Sequence, residues 1–255
     1  MFRIKAIALN TFKEAVRDRV LYGLLIFGLL LIVGSKILTP LTLGEQSKII
    51  RDIGLAGISI FGFLVIVVVG TTLVYKELDK RTIYTIISKP IHRWEFIAGK
   101  YLGLLLTLLV IVLIMTLFFY GVVFWVDRAP ELTLLEAILL IYFELMVMTA
   151  VALLFSAMSS PALSAILTFV IYFVGHLSAD LKVFAEKIPS ELIKILCYLF
   201  YYILPNLENF NIKSKIVHQI PVSFEYILSA IAYGIIYAVA VLLLTSIIFQ
   251  KKSFK

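Results

Sequence analysis

The chain has 255 residues, 62% apolar and only 15% charged, against about 45–50% and 25% in ordinary soluble domains, so its surplus apolar surface must face lipid. The apolar residues come in unbroken runs of about 18 or more rather than short alternating stretches, which excludes a β-barrel in favour of helices. The formal charge of +7 does not mark a nucleic-acid partner, because the basic residues flank apolar runs in the manner of membrane anchors. The lone Cys197 excludes an internal disulfide and a cysteine-based metal site.

Residues 1–19 predict an interfacial amphipathic helix: Ile4, Ile7, Ala8, Phe12, Ala15 and Val16 share one side, and Arg3, Asn10, Lys13, Glu14 and Arg17 the other. The mixed charges and the lack of a short apolar core with a cleavage site argue against a removable signal peptide. Six spans are expected, at 20–37, 53–75, 101–126, 133–158, 162–177 and 226–249. Between the second and third lies a charged stretch, 76–94, read as a short helix broken at Lys89-Pro90. Between the fifth and sixth, 178–222 is a polar segment carrying Pro189, Pro205 and Pro221. Its run at 192–204 is too short to cross and rich in tyrosine, which suits an interfacial or re-entrant helix.

Six spans put both termini and the 76–100 stretch on one side, with five, six and three basic residues in the amino-terminal segment, that stretch and the tail. The positive-inside rule makes that side cytoplasmic and turns 178–222 outward. The chain is thus expected to be a single all-α domain of a cytoplasmic (inner) membrane. It has no G-x-x-x-x-G-K-[ST] phosphate-binding loop and no HExxH pattern. His92, His176 and His218 fall far apart in this topology, so they are expected to be separate histidines rather than a metal site.

The 76–100 stretch is the informative one. Glu77 and Arg81 are spaced for an i,i+4 pair, and Ile83, Ile86 and Ile87 gather on one side of the same short helix. Such a two-faced helix suits a partner protein or lipid headgroups, and equally an ordinary positively charged loop on the membrane surface. Read in order, Glu77, Thr82, Lys89-Pro90-Ile91-His92-Arg93 and Gly99-Lys100-Tyr101-Leu102-Gly103 resemble the ABC-2 type permeases, in particular the branch similar to the permease of the nitrous-oxide-reductase accessory transporter. Thr11-Phe12 with Glu14, Arg17-Asp18-Arg19, the Phe155-Ser156-x-x-Ser159-Ser160-Pro161 turn and Leu204-Pro205-Asn206-Leu207 extend the resemblance over nearly the whole chain.

The resemblance implies a six-span permease subunit, not itself an enzyme, that forms a dimer, with a homodimer expected, and binds two copies of an ATPase subunit. ATP and Mg would sit on those partners, and no cofactor is expected on this chain. The helix at about 77–88 would be the coupling helix, with Glu77, Arg81, Thr82, Lys89, Pro90 and Arg93 as ATPase-coupling residues and Gly99 and Lys100 at the start of the third span. Export is the expected direction of transport. The rival readings are a stand-alone secondary transporter or channel and a structural membrane protein without transport. Against a proton- or ion-coupled carrier stands the scarcity of ionisable residues at depth, where Glu144 is the one clear carboxylate. Glu144 falls about 17 Å into the fourth span at about 1.5 Å per residue, so it is expected to turn from lipid toward hydrogen-bond partners or a water-filled cavity. Thr116, Thr168, Tyr172, Tyr233 and Tyr237 are its depth-matched candidates.

Overall fold

The structure is a computed structural model that describes residues 2–35, 46–72, 92–127, 132–178, 185, 187, 190–218 and 220–251. The stretch holding Glu77, Arg81, Thr82, Lys89 and Pro90, and with it the expected coupling helix, lies outside the described residues. The longer described elements are all helical. They are α1 (Phe2–Val16), α2 (Arg19–Gly34), α3 (Gln46–Val65) continued by a π-helical turn (Ile66–Gly70), α4 (Arg93–Asp127) and α5 (Thr133–Met158). Then come α6 (Pro161–His176), α7 (Glu191–Ile203), a 3-10 turn (Leu207–Phe210), α8 (Lys213–Val217) and α9 (Phe224–Lys251).

Four of these, Gln46–Gly70, Arg93–Val126, Thr133–Met158 and Phe224–Gln250, are long and apolar enough to cross a membrane. The α2 and α6 helices are apolar but have 16 residues each, about 24 Å at 1.5 Å per residue, short of a hydrocarbon core of about 30 Å. The expected six spans therefore divide into four of full length and two shorter helices. The α4 helix begins at Arg93, eight residues ahead of the expected third span, because Glu95 reaches back to accept from the His92 backbone N–H at 3.0 Å and so caps the start. At 35 residues it is about 52 Å long, more than a bilayer with its headgroups, so it projects beyond the hydrocarbon.

The centre of the bundle is α5, which is apolar on every side and packs against α3, α4, α6, α8 and α9. Its fully buried residues include Leu145, Val147, Met148 and Ala150. By contrast α9 shows lipid an outer face of Leu228, Ile236, Val239 and Leu243. Its stripe Ala230-x-x-x-Gly234-x-x-x-Ala238 is used within the chain. Both alanines are buried, and a Cβ on Gly234 would stand 3.0 Å from the Phe210 ring and 3.7 Å from Val147. The turn from α5 into α6 is fixed by Ser159 Oγ, which lies 2.8 Å from Ser164 Oγ, and by Pro161 in the first helical turn.

The segment from Leu204 to Val217, within the stretch expected to face outward, is packed into the bundle. Leu207, Phe210 and Ile212 are fully buried, against α5 and α6 through the 3-10 turn and against α3 and α5 through α8. Gly175 makes this possible, since a Cβ there would stand 2.8 Å from Leu207 and 2.9 Å from the Pro205 carbonyl oxygen. The Asn206 backbone N–H donates to Tyr233 Oη at 2.8 Å, which ties the segment to α9. The α7 helix ahead of it is short and exposes Leu192, Ile195, Leu199, Phe200 and Tyr202.

Candidate functional site

Two constellations stand out, one at the end of the bundle where α1 sits and one in its interior. At the first, the apolar face expected on α1 is turned to α4. Arg3 lies 3.9 Å from Glu95. A Cβ on Gly99 would stand 2.7 Å from Ile7, and one on Gly103 would stand 2.5 Å from Thr11 and 2.6 Å from the Ala8 carbonyl oxygen. The pairs 3/95, 7/99 and 11/103 step together, so the two helices run side by side in the same direction. The Gly99-x-x-x-Gly103 spacing is what permits this, since two glycines one turn apart let two backbones approach closely.

Lys100 sits between those glycines and is almost fully buried. Its ammonium lies 3.8 Å from Glu14 on α1 and 5.9 Å from the centre of the Phe96 ring. A buried cation is tolerable only with such partners, so Lys100 fastens α1 to α4 where a neutral residue would simply pack. Arg93 turns to the other end of the chain. Its guanidinium donates to the Phe249 and Gln250 carbonyl oxygens at 2.8 and 2.9 Å, in the last turn of α9, where a cation is favourably placed. Phe96 stacks on Phe249 beside it, ring centres 5.9 Å apart. The α1 helix, the start of α4 and the end of α9 therefore form one end of the bundle. Arg93, expected among the coupling residues, and Gly99 and Lys100, expected at the start of the third span, lie together here.

The interior constellation is built on Glu144, midway along α5 and fully buried. Its Oε1 lies 3.1 Å from His176 Nε2 and accepts from Ser59 Oγ of α3 at 3.4 Å. The Ser59 hydroxyl also lies 3.2 Å from Tyr172 Oη. Tyr172 is held in turn by Phe63, stacked on it with ring centres 3.8 Å apart, and by His176, edge-on at 4.7 Å. On the far side of the imidazole, Nδ1 lies 3.9 Å from Glu208 Oε2 in the 3-10 turn. Asn211 Nδ2 donates to both Glu208 oxygens at 3.1 and 3.2 Å.

Glu144 does turn away from lipid, and Tyr172 is the one depth-matched candidate that joins its cluster. The others are engaged elsewhere: Thr116 and Thr168 donate to carbonyls one turn back in their own helices, and Tyr233 and Tyr237 serve the 203–206 segment. Ser59 and His176 were not signalled by depth. His176 closes α6 and lies about as far beyond the Ser159-Ser160 turn as Glu144 lies before it, and that equal spacing in a helical hairpin is the signal by which it can be found. No set of three or more His, Cys, Asp or Glu side chains among the described residues is arranged to hold a metal ion.

No curated protein matches the chain. The family described as ABC-2 family transporter protein matches residues 5–254, nearly the whole length, and its apolar helices are those of a multi-pass membrane protein; the chain belongs to the ABC-2 transporter family.

Proposed function

We propose that the chain is the permease subunit of an ATP-driven transporter, working as a homodimer with two copies of a separate ATPase and exporting its substrate across the cytoplasmic membrane. The observation that carries this reading, beside the family match, is the joined end of the bundle. The α1 helix is clamped along α4 by Gly99, Gly103 and Lys100, and Arg93, two residues beyond the 73–91 stretch in the sequence, locks α4 to the end of α9. A force applied by a partner to 73–91 would then reach α1, α4 and α9 together, which is what coupling to ATP hydrolysis requires.

The test is co-purification. Wild-type protein drawn from its native membrane should bring an ATPase that carries a phosphate-binding loop, and Arg81→Glu should lose that ATPase or uncouple its hydrolysis from transport while inserting normally. Retention of a fully coupled ATPase by Arg81→Glu removes Arg81 from the coupling site, and a wild type that never brings an ATPase removes the permease reading. The orientation, with both termini and 76–94 cytoplasmic, is tested by single cysteines in a Cys197→Ser background. Ser214, exposed on α8, should react as Ser214→Cys with an impermeant thiol reagent on whole cells, and Ser88→Cys should not. The reverse labelling pattern inverts the topology.

A further inference from the structure

The interior constellation has the order of a path rather than of a binding pocket. Glu144 is fully buried, the His176 side chain is 23% exposed, and the Glu208 side chain is 43% exposed. The imidazole presents one nitrogen to each carboxylate, Nε2 to Glu144 at 3.1 Å and Nδ1 to Glu208 at 3.9 Å. Two carboxylates on opposite ring nitrogens cannot converge on one ion. An imidazole so placed can take a proton at one nitrogen and release one from the other. Glu144 also has a reason to receive it, because its second oxygen, Oε2, is buried with no hydrogen-bond partner among the described residues, an arrangement that is costly for a carboxylate.

We propose that Glu208, His176 and Glu144 form a proton-exchange site that connects the exposed side of the 3-10 turn to the interior of the bundle. A proton taken up at Glu208 passes to Nδ1 of His176, the proton on Nε2 passes to Oε1 of Glu144, and the ring is left as the other tautomer. The net change of this inward passage is one proton gained by Glu144, whose charge is neutralised. Reversal of the two transfers returns that proton to Glu208 and restores the starting tautomer of the ring. The 3.9 Å step from Glu208 closes with a small side-chain rotation or through one bridging water.

The surroundings suit this use. On α6 the neighbour is Tyr172, on α3 the Ser59 hydroxyl with Arg51 about two turns further along the helix, and on α9 Tyr226, whose hydroxyl donates to the Asn209 carbonyl at 3.0 Å. Glu208 lies in the packed segment 204–217, so the path exists only while that segment is seated on α6. Proton uptake is thereby tied to the position of the segment. The inference stands on the cluster alone and does not depend on the permease reading.

The test is rapid-mixing infrared spectroscopy of the full chain in detergent, stepped from mildly alkaline to mildly acidic buffer. The wild type should develop a protonated-carboxyl C=O band that Glu144→Gln abolishes. In His176→Gln and in Glu208→Gln the band should form more slowly by about a hundredfold, the low end of what a positioned proton-transfer group contributes. Absence of a Glu144-dependent band overturns the proposal, and so does wild-type kinetics in either variant. Glu208 is part-exposed, so Glu208→Gln decides the matter if the interior variant does not fold.

Discussion

Replacing Gly103 by leucine is expected to lift α1 off α4. A single Cβ at this position already stands 2.6 Å from the Ala8 carbonyl oxygen and 2.5 Å from Thr11. The carbonyl belongs to the helix backbone and cannot rotate aside, so the two helices must separate. Overpacking of this kind costs about 1–3 kcal/mol, occasionally more, and 1–3 kcal/mol corresponds to a roughly 5–150-fold rise in the undocked population. Lys5 and Lys13 are exposed on α1 and Arg17 just beyond it, so tryptic cleavage there should accelerate by about that factor. Gly121→Leu is the control, since it makes the same change on the same helix where a Cβ meets nothing within 4 Å. Cleavage of Gly103→Leu at the wild-type rate would mean that the glycine contact does not hold α1.

This clamp explains a motif whose purpose is hidden in one dimension. Gly99-Lys100-Tyr101-Leu102-Gly103 reads in the sequence as the start of a span, and the glycines look like places where a helix is weak. In the structure they are places where a second helix comes close, and Lys100 between them reaches Glu14 of that helix. The amphipathic pattern of residues 2–16 was legible because a 3.6-residue period survives whatever the face is buried against. Whether that face meets lipid or protein was not legible, because the pattern is the same for both.

The long apolar runs were legible for the same reason, and so was the need of Glu144 for partners. The partners themselves depended on the register between neighbouring helices. Counting each span from its own start overlooks that α5 and α6 form a hairpin, in which His176 lies about as far past the Ser159-Ser160 turn as Glu144 lies before it and so comes level with it. The burial of 204–217 was hidden because Leu207, Phe210, Ile212 and Ile216 are spread over a short stretch broken by Pro205 and polar residues, with no sustained period. The π-helical turn at Ile66–Gly70 has no signature in composition either. It packs against α5 and α6, one turn beyond the Phe63 that holds Tyr172, so the irregularity lies beside the polar cluster.

Gly54→Ala is expected to be among the most damaging single-methyl additions in the bundle, and to be rescued by a change on another helix. A Cβ at Gly54 on α3 would stand 2.1 and 2.2 Å from two ring atoms of Phe119 on α4. Phe119 is fully buried, and so has no open space into which to swing. In lipid, helices gain little from leaving the solvent and are held chiefly by close packing, so a forced gap between α3 and α4 is not offset by other burial. The substitution should cost about 1–3 kcal/mol or more. Phe119→Leu alone leaves a partial cavity at about 1–2 kcal/mol, but its shorter side chain vacates the space that the new methyl needs. The double variant should therefore unfold near the midpoint of Phe119→Leu rather than at the sum of the two losses, a coupling of about 0.5–3 kcal/mol. Thermal unfolding of the four proteins in one detergent measures it. Gly23→Ala, where a Cβ meets nothing within 4 Å, should leave the midpoint unchanged. If the losses at Gly54 and Phe119 add, the ring is not what the methyl meets, and α3 and α4 do not approach each other at Gly54.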